Sequence, residues 1–313
     1  MIRVEHLSKS YASSFSKTDA LRDISFAVGC GEILGILGPN GAGKSTLIKI
    51  LATILNRDTG QIYMADCTTD DAIAYRQKFT VALQNSSLEL WLSVEDNLKI
   101  YGKFFGLQGT HLSKQIDEVI GLFGLKEFRR KRASELSGGY RKRLQLARSF
   151  LVDTPVMMLD EPTAGLDPLA KNQVIRLLKD RAAQGKSIIF TTQVIAEAEA
   201  LCNRVLILNQ GRKIAEGNVE DIKALFSAGQ RMEFKFEEVT ESIVREASSI
   251  CQLTGKAAPE QQGSSLLFDL TVVDEADRQT MSKLLESLCP ISVSTKDLSL
   301  EEIFIELLKE GVV

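Results

Sequence analysis

An α/β fold with a mostly parallel sheet, followed by a small α+β domain, is the class that the sequence predicts. Up to about residue 220, short apolar runs of strand length alternate with longer segments of helical period, the succession that builds parallel sheets. Beyond about residue 225 the pattern turns to strict period-two alternation with one polar side, as in antiparallel strands that face water.

The elements follow in order. EILGILG at 32–38 reads as a buried strand running into a glycine-rich loop, and STLIKILATIL at 45–55 has helical apolar spacing. From 85 to about 150 the chain is expected to be helical: Ser93 and Asp96 form a capping box, and LKIYGKFFGL, IDEVIGLFGL and RLQLARSFL continue in the same style. PVMMLD at 155–160, SIIFTT at 187–192 and RVLILN at 204–209 are further buried strands, with helical sequence between the first two. The region 217–229 is the expected linker. In RMEFKFE, Met232, Phe234 and Phe236 share one face opposite Arg231, Glu233, Lys235 and Glu237. Ile243, Val244, Ala247, Ile250 and Cys251 then make a helical stripe, and Leu266, Phe268, Leu270 and Val272 a second alternating strand. Met281, Leu284, Leu285 and Leu288 make a second helix, and a last helix is expected from Ser299, boxed by Glu302. The expected domains are 1–220, with its helical insertion at about 85–150, and 221–313.

Composition narrows the partners. With 313 residues, 44% of them apolar and 25% charged, the chain can bury a sizeable core and divide into more than one domain. Lys plus Arg at 38 against Asp plus Glu at 41 gives a net charge of −3, so no global basic field argues for a nucleic-acid partner. Five scattered cysteines without C-x-x-C spacing give no zinc site and are read as reduced thiols. The first residues carry no apolar run of signal-peptide type, and nowhere do 18 or more apolar residues run together. Action at a membrane is therefore expected to need a partner.

The chemistry begins at GPNGAGKST: Gly38, Pro39, Asn40, Gly41, Ala42, Gly43, Lys44, Ser45 and Thr46 match G-x-x-x-x-G-K-[ST], with a strand before and a helix after. Small residues let backbone N–H groups close around phosphate oxygens, and the helix start adds partial positive charge. Lys44 is placed to reach the β- and γ-phosphates and Ser45 to ligate Mg2+. In VMMLDEP an apolar strand delivers Asp160, the second metal anchor, to the C-terminal edge of the sheet, where ligands of open α/β sheets collect. Glu161 beside it is the candidate to orient or deprotonate the attacking water. LSGGYRKRLQLARS at 136–149 sets Ser137, Gly138 and Gly139 at a helix start, a second anion site, ahead of Arg141, Lys142, Arg143 and Arg148.

The order of this P-loop, LSGG, LDEP and then GLDP resembles the nucleotide-binding subunits of ATP-binding cassette (ABC) transporters, over residues 1 to about 220. The resemblance implies a P-loop NTPase cassette, a RecA-like mostly parallel sheet with a helical subdomain, that binds and hydrolyses ATP with Mg2+. It implies that Tyr11 stacks on adenine, that Gln84 reaches the metal and the attacking water, and that Asp167 belongs to the loop following the carboxylate pair. It also implies that Ser137 of one subunit closes on the γ-phosphate held by its partner, so that a homodimer or heterodimer is needed. One position departs from the family: Gln193 in FTTQVIAEAEAL stands where a histidine is usual, and an amide can neither accept a proton nor become cationic near neutral pH. Slower turnover is expected, with Glu161 carrying the activation of water. Tyr140 likewise replaces the usual glutamine.

Trp91, Tyr101, Phe104 and Phe105 lie where the family presents a groove to its membrane subunit; most of them are read as core of the helical insertion and the remainder as a docking patch. The ending STKDLSLEEIFIELLKEG is similar to the C-terminal segment of ABC-2 type exporter ATPases, which implies a regulatory or subunit-contact role for residues 221–313. The expected function is thus the ATPase subunit of an exporter, cytoplasmic and held at the inner face of the membrane by a separate permease subunit. A soluble ABC-type ATPase acting on nucleic acid or the translation machinery, and a weakly hydrolysing half of a heterodimeric transporter, are the alternatives.

Overall fold

The computed structural model describes residues 2–12, 17–84, 88–226, 231–268, 270, 275–296 and 303–304. They fall into two compact units, Met1–Val219 and Glu220–Val313.

The first unit opens with β1 (Ile2–Ala12) and β2 (Lys17–Val28), paired antiparallel. Ile2, Val4 and Leu7 of β1 are all buried, so its alternation slips between Val4 and Leu7, where the register shifts and His6 takes a left-handed φ of 50°. That slip hides the strand from a period-two reading. Next come β3 (Ile33–Leu37), α1 (Lys44–Leu51), β4 (Thr59–Met64), β5 (Cys67–Thr68), α2 (Ala72–Arg76) and β6 (Phe79–Ala82). The helical region follows as α3 (Val94–Phe104), α4 (Gly109–Leu122) and α5 (Gly138–Leu151), with Ser93 capping α3 by accepting the Asp96 N–H. His111 lies inside α4 and is exposed. The unit continues with β7 (Val156–Asp160), α6 (Pro168–Ala183), β8 (Ser187–Thr192), α7 (Ile195–Leu201), β9 (Arg204–Asn209) and β10 (Arg212–Asn218).

Two sheets result, β2-β1-β4-β5, which is antiparallel, and β10-β9-β3-β8-β7-β6, which is parallel apart from its edge strand β10. β3, β7 and β8 are buried along their whole length because both faces are covered. Ile33, Met157, Leu159, Ile188 and Phe190 join the core shared with α3, α4 and α5, whereas Leu34, Ile36, Met158 and Ile189 join the core shared with α1 and the antiparallel sheet. β10 was not legible as a strand because half-exposed RKIAEGN lacks an apolar face; Glu216 in it pairs with Arg204 and Lys213.

The region 217–229, expected as linker, carries α8 (Val219–Phe226) across the boundary of the units. Two acidic residues in its first turn, Glu220 and Asp221, favour the helix start there.

In the second unit, β11 (Arg231–Lys235), α9 (Glu241–Leu253), β12 (Glu260–Gln262), β13 (Ser265–Phe268), α10 (Glu275–Leu288) and β14 (Ser292–Lys296) form a β-α-β-β-α-β succession. The sheet runs β12-β13-β11-β14 and every adjacent pair is antiparallel. Met232, Phe234 and Phe236 pack on Ala247 and Cys251 of α9 and Leu284 and Leu288 of α10, with the Phe234 and Phe268 rings edge-on at 4.8 Å. β13 departs from the alternating expectation: Ser265 and Leu267 are buried along with Leu266 and Phe268, so both faces of this inner strand are covered. Val272 and the expected helix start at Ser299 and Glu302 lie outside the described residues.

The aromatic cluster of the helical region also differs from expectation. Trp91 is 78% and Phe104 84% exposed, whereas Tyr101 and Phe105 are half-buried with ring centroids 5.1 Å apart. Helical spacing explains the split: Tyr101 and Phe105 share a face four residues apart, and Phe104 is turned off it.

Candidate active site

The glycine loop is held by its neighbours. Gly38 follows β3 so closely under β9 that a Cβ there would stand 2.4 Å from the Leu208 carbonyl oxygen. Gly43, the residue before α1, has φ 105° and backs onto the Ala20 carbonyl, so any side chain would both clash and be strained. Among the described residues no side chain caps α1, so its first N–H groups face the loop without a side-chain acceptor. Lys44 is buried and bent back, its Nζ donating to the carbonyls of Gly38 (2.7 Å) and Pro39 (3.0 Å). Burial pushes its pKa below the ordinary lysine value, while the nearby charges of Glu161 and Asp160 act the other way. A cleft of about 540 Å³ opens on this loop, and Tyr11, Asn40, Lys44, Thr46, Gln84 and Glu161 all line it. Tyr11 reaches the loop through its hydroxyl, 3.5 Å from Thr46 Oγ1. Gly41, Ala42, Gly43 and Ser45 line the same cleft.

The two carboxylates stand at the end of β7. Asp160 is 1% exposed; its Oδ1 accepts a 2.5 Å hydrogen bond from Thr191 Oγ1 on the adjacent strand β8, and its Oδ2 is buried with no hydrogen-bond partner among the described residues. Glu161 takes a left-handed φ of 47°, uncommon for a residue with a side chain, and its N–H is tied to Thr191 through both the hydroxyl (3.0 Å) and the carbonyl (3.2 Å). Its Oε2 accepts from Gln84 Nε2 at 3.1 Å. The turn therefore aims Glu161 into the cleft beside the glycine loop while Asp160 stays beneath it.

Ser137, Gly138 and Gly139 do not line that cleft. Ser137 caps α5 by accepting the Tyr140 N–H, and it and Gly138 are exposed. Asp167 caps α6 through Ala170 N–H and pairs with Arg143 Nη2 at 2.7 Å, while a Cβ at Gly139 would lie 3.6 Å from the Gly165 carbonyl. The bond to Ala170, with help from Arg143, holds the Asp167 carboxyl below its usual range. Within one chain, then, the LSGG turn and Asp167 make one surface and the glycine loop another. The basic run of α5 is largely turned to internal partners. Lys142 Nζ points at the Asp160 carbonyl (3.4 Å), Arg143 takes Asp167, and Arg148 lies over the Tyr101 ring at 4.6 Å.

Gln193 lies in a smaller neighbouring cleft of about 250 Å³, and Glu161 borders both clefts.

Two residues near the carboxylates escaped the sequence reading. Thr191 holds the Asp160 carboxylate and the Glu161 backbone, and its signal was a hydroxyl in a buried strand, register-paired with Asp160. Lys142 is half-buried behind them, its pKa lowered by burial. Nothing in a basic helical run distinguishes it.

As for metal, no group of three or more His, Cys, Asp or Glu side chains that could hold an ion occurs among the described residues. The donors at hand are the Ser45 hydroxyl, the Gln84 amide oxygen and the unpartnered Asp160 Oδ2, the hard oxygen ligands that suit Mg2+ when phosphate completes its shell.

An uncapped helix start facing a buried lysine is a phosphate cradle, which makes the first unit a P-loop nucleotide-binding domain. The sequence profile of the ABC transporter family matches residues 21–164, and the chain belongs to that family. It is similar to the Nod factor export ATP-binding protein I of Rhizobium johnstonii, 36% identical over 212 residues that make up 67% of each chain. It is also similar to the daunorubicin resistance ATP-binding protein DrrA3 of Streptomyces coeruleorubidus, 31% identical over 294 residues covering 92% of this chain and 90% of that one. Among solved structures it resembles an ATP-binding subunit of an ABC transporter, with 29% identity, a TM-score of 0.67 and coverage of 72% of this chain and 93% of the other. A further likeness is to the dimeric structure of MJ0796, a bacterial ABC transporter cassette, with 25% identity, a TM-score of 0.66 and coverage of 70% and 98%. The chain is thus an ATP-binding subunit of ABC type, an ATPase with the cassette fold and an additional small C-terminal sheet domain.

Proposed function

We propose that this chain is the motor of an export system, hydrolysing ATP in a dimer to drive a separate membrane-embedded subunit. No helix among the described residues is long and apolar enough to cross a membrane, so on this reading the chain works from the cytoplasmic face through its partner. Relatives named for Nod factor export and daunorubicin resistance support export, and the exposed Trp91 and Phe104 offer a surface for the membrane subunit. Residues 220–313 serve regulation or subunit contact.

In this reading Tyr11 stacks on adenine, and the backbone of Gly38 to Gly43 with Lys44 and Thr46 holds the phosphates. Ser45, Gln84 and Asp160 hold Mg2+, which when bound neutralises charge on the β- and γ-phosphates. Glu161 takes the proton of the attacking water, Gln84 orients it through the bond seen here, and Gln193 hydrogen-bonds the γ-phosphate side. Ser137, Gly138 and Gly139 close on the nucleotide of the other subunit, beside Asp167.

One observation carries the two-subunit form. Gly138 opens α5, where glycine weakens a helix, yet its φ is not left-handed and a Cβ there would meet nothing within 4 Å. Nothing among the described residues of its own chain gives a reason for glycine; close approach by a partner's phosphate does. The dimeric structure of a related bacterial ABC transporter cassette supports a two-subunit form. The test is to purify the chain with the product of a neighbouring membrane-protein gene and compare wild type with Glu161→Gln. The variant is expected to bind ATP, accumulate as a dimer and lose hydrolysis by about 10²- to 10⁴-fold. Full hydrolysis by Glu161→Gln, or by wild type diluted until it is wholly monomeric, refutes the assignment.

A further inference from the structure

We infer that Glu197 is a positioning residue for hydrolysis, the buried bridge that holds the Gln193 segment in register with the loop joining Glu161 to Asp167. Glu197 lies in the first turn of α7 and is 8% exposed. One oxygen, Oε2, accepts from Thr163 Oγ1 at 2.6 Å and from Thr192 Oγ1 at 2.9 Å, while Oε1 faces Lys171 Nζ at 3.4 Å.

Each of these contacts belongs to a different segment. Thr163 is two residues beyond Glu161, Lys171 is one helical turn beyond Asp167 in α6, and Thr192 immediately precedes Gln193. The Thr192 hydroxyl also accepts the Val194 N–H at 3.0 Å, so its own proton is committed to Glu197. A continuous chain of hydrogen bonds then runs from the backbone just past Gln193, through Thr192 and Glu197, to Thr163. Asp167, four residues beyond Thr163 and one helical turn before Lys171, is held separately by Arg143 of the LSGG helix.

A buried carboxylate is costly unless paired, and the fold supplies a cation and two hydroxyls to keep this one. A charged acceptor makes shorter and stiffer bonds than a neutral one, which is what a fixed distance between two loops requires. Glu197 lines the smaller cleft with Glu161 and Gln193 but not the cleft of the glycine loop. Its removal therefore loosens the groups beside the reacting phosphate and leaves nucleotide binding intact.

The inference rests on the reading that Glu161 and Gln193 flank the γ-phosphate of ATP, and the experiment separates the two. Steady-state ATPase of the full-length chain is measured against ATP concentration for wild type, Glu161→Gln, Glu197→Ala, Glu197→Gln, Thr163→Val, Thr192→Val and the double threonine variant, alongside thermal unfolding. Glu197→Ala is expected to lower kcat at least about tenfold with KM for ATP changed less than about twofold, the pattern of a misplaced reacting group. Glu197→Gln keeps an oxygen for both hydroxyls and is expected to restore kcat to within about threefold of wild type. The two threonine substitutions are expected to be non-additive, the double variant falling no lower than Glu197→Ala, because both act through one carboxylate. A folded Glu197→Ala protein with wild-type kcat overturns the inference, as does a loss confined to KM. If Glu197→Ala does not fold, the double threonine variant decides: reduced kcat at unchanged KM supports the bridge, and wild-type kcat removes it. Wild-type turnover in Glu161→Gln removes the underlying reading instead.

Discussion

Thr191 Oγ1 donates to Asp160 Oδ1 at 2.5 Å and accepts the Glu161 N–H at 3.0 Å, so one hydroxyl on β8 holds the Asp160 carboxylate and the Glu161 backbone at the end of β7. Thr191→Val keeps the shape and removes the hydroxyl. Asp160 Oδ1 then joins Oδ2 as a buried oxygen without a partner, at a cost of about 1–3 kcal/mol. The variant is expected to melt at a lower temperature and to hydrolyse ATP more slowly at saturating Mg2+. Calorimetry and an ATPase assay check this, and unchanged values in both dismiss the orienting role.

Lys44 reads differently. Its Nζ is satisfied by the Gly38 and Pro39 carbonyls and needs only to turn to meet phosphate. A charge-assisted contact of about 1.5–3 kcal/mol is lost in Lys44→Ala, so ATP affinity is expected to fall about ten- to a hundredfold. Titration with a fluorescent ATP analogue measures it, and affinity within about twofold of wild type contradicts the assignment.

Gln193 borders the same small cleft as Glu161 and is exposed. An imidazole there can carry charge near neutral pH where an amide cannot. Gln193→His is expected to raise kcat by more than about twofold, roughly 0.4 kcal/mol in the barrier. A smaller gain means that this position does not limit turnover.

Acid stability has a marked group in the helical region. Glu95 in the first turn of α3 is held down to about 2, chiefly by the hydrogen bonds from Arg129 and then Lys99. A carboxyl with a depressed folded value stabilises the fold above its ordinary value of 4.5, and that contribution is lost as the pH falls from there towards 2. Arg129→Ala is expected to be less stable than wild type at neutral pH and to lose less of its stability across that window. Urea unfolding at several pH values measures both, and parallel pH profiles for the two proteins rule out the Glu95–Arg129 pair as the cause.

Much of the cassette was legible because its signals are local. A short, mostly apolar run bounded by polar or glycine residues reads as a strand buried on both faces, and β3, β7, β8 and β9 were read that way. The glycine loop is written in consecutive residues, since backbone closure around an anion needs particular side chains at particular steps. β1 was obscured by its bulge, and the polar edge strands β10 and β12 by the lack of any apolar face.

Convergence is another matter, because hydrogen bonds between distant segments leave no trace in spacing. That Lys142 turns inward to Asp160 while Arg143 goes to Asp167, that Gln84 meets Glu161, and that Glu197 gathers Thr163, Thr192 and Lys171 all follow from the pairing of β6, β7 and β8 and the seating of α5, α6 and α7 beside them. Adjacent residues dictate which backbone shapes are possible; the packing of sheet against helix chooses which side chains come within hydrogen-bond reach.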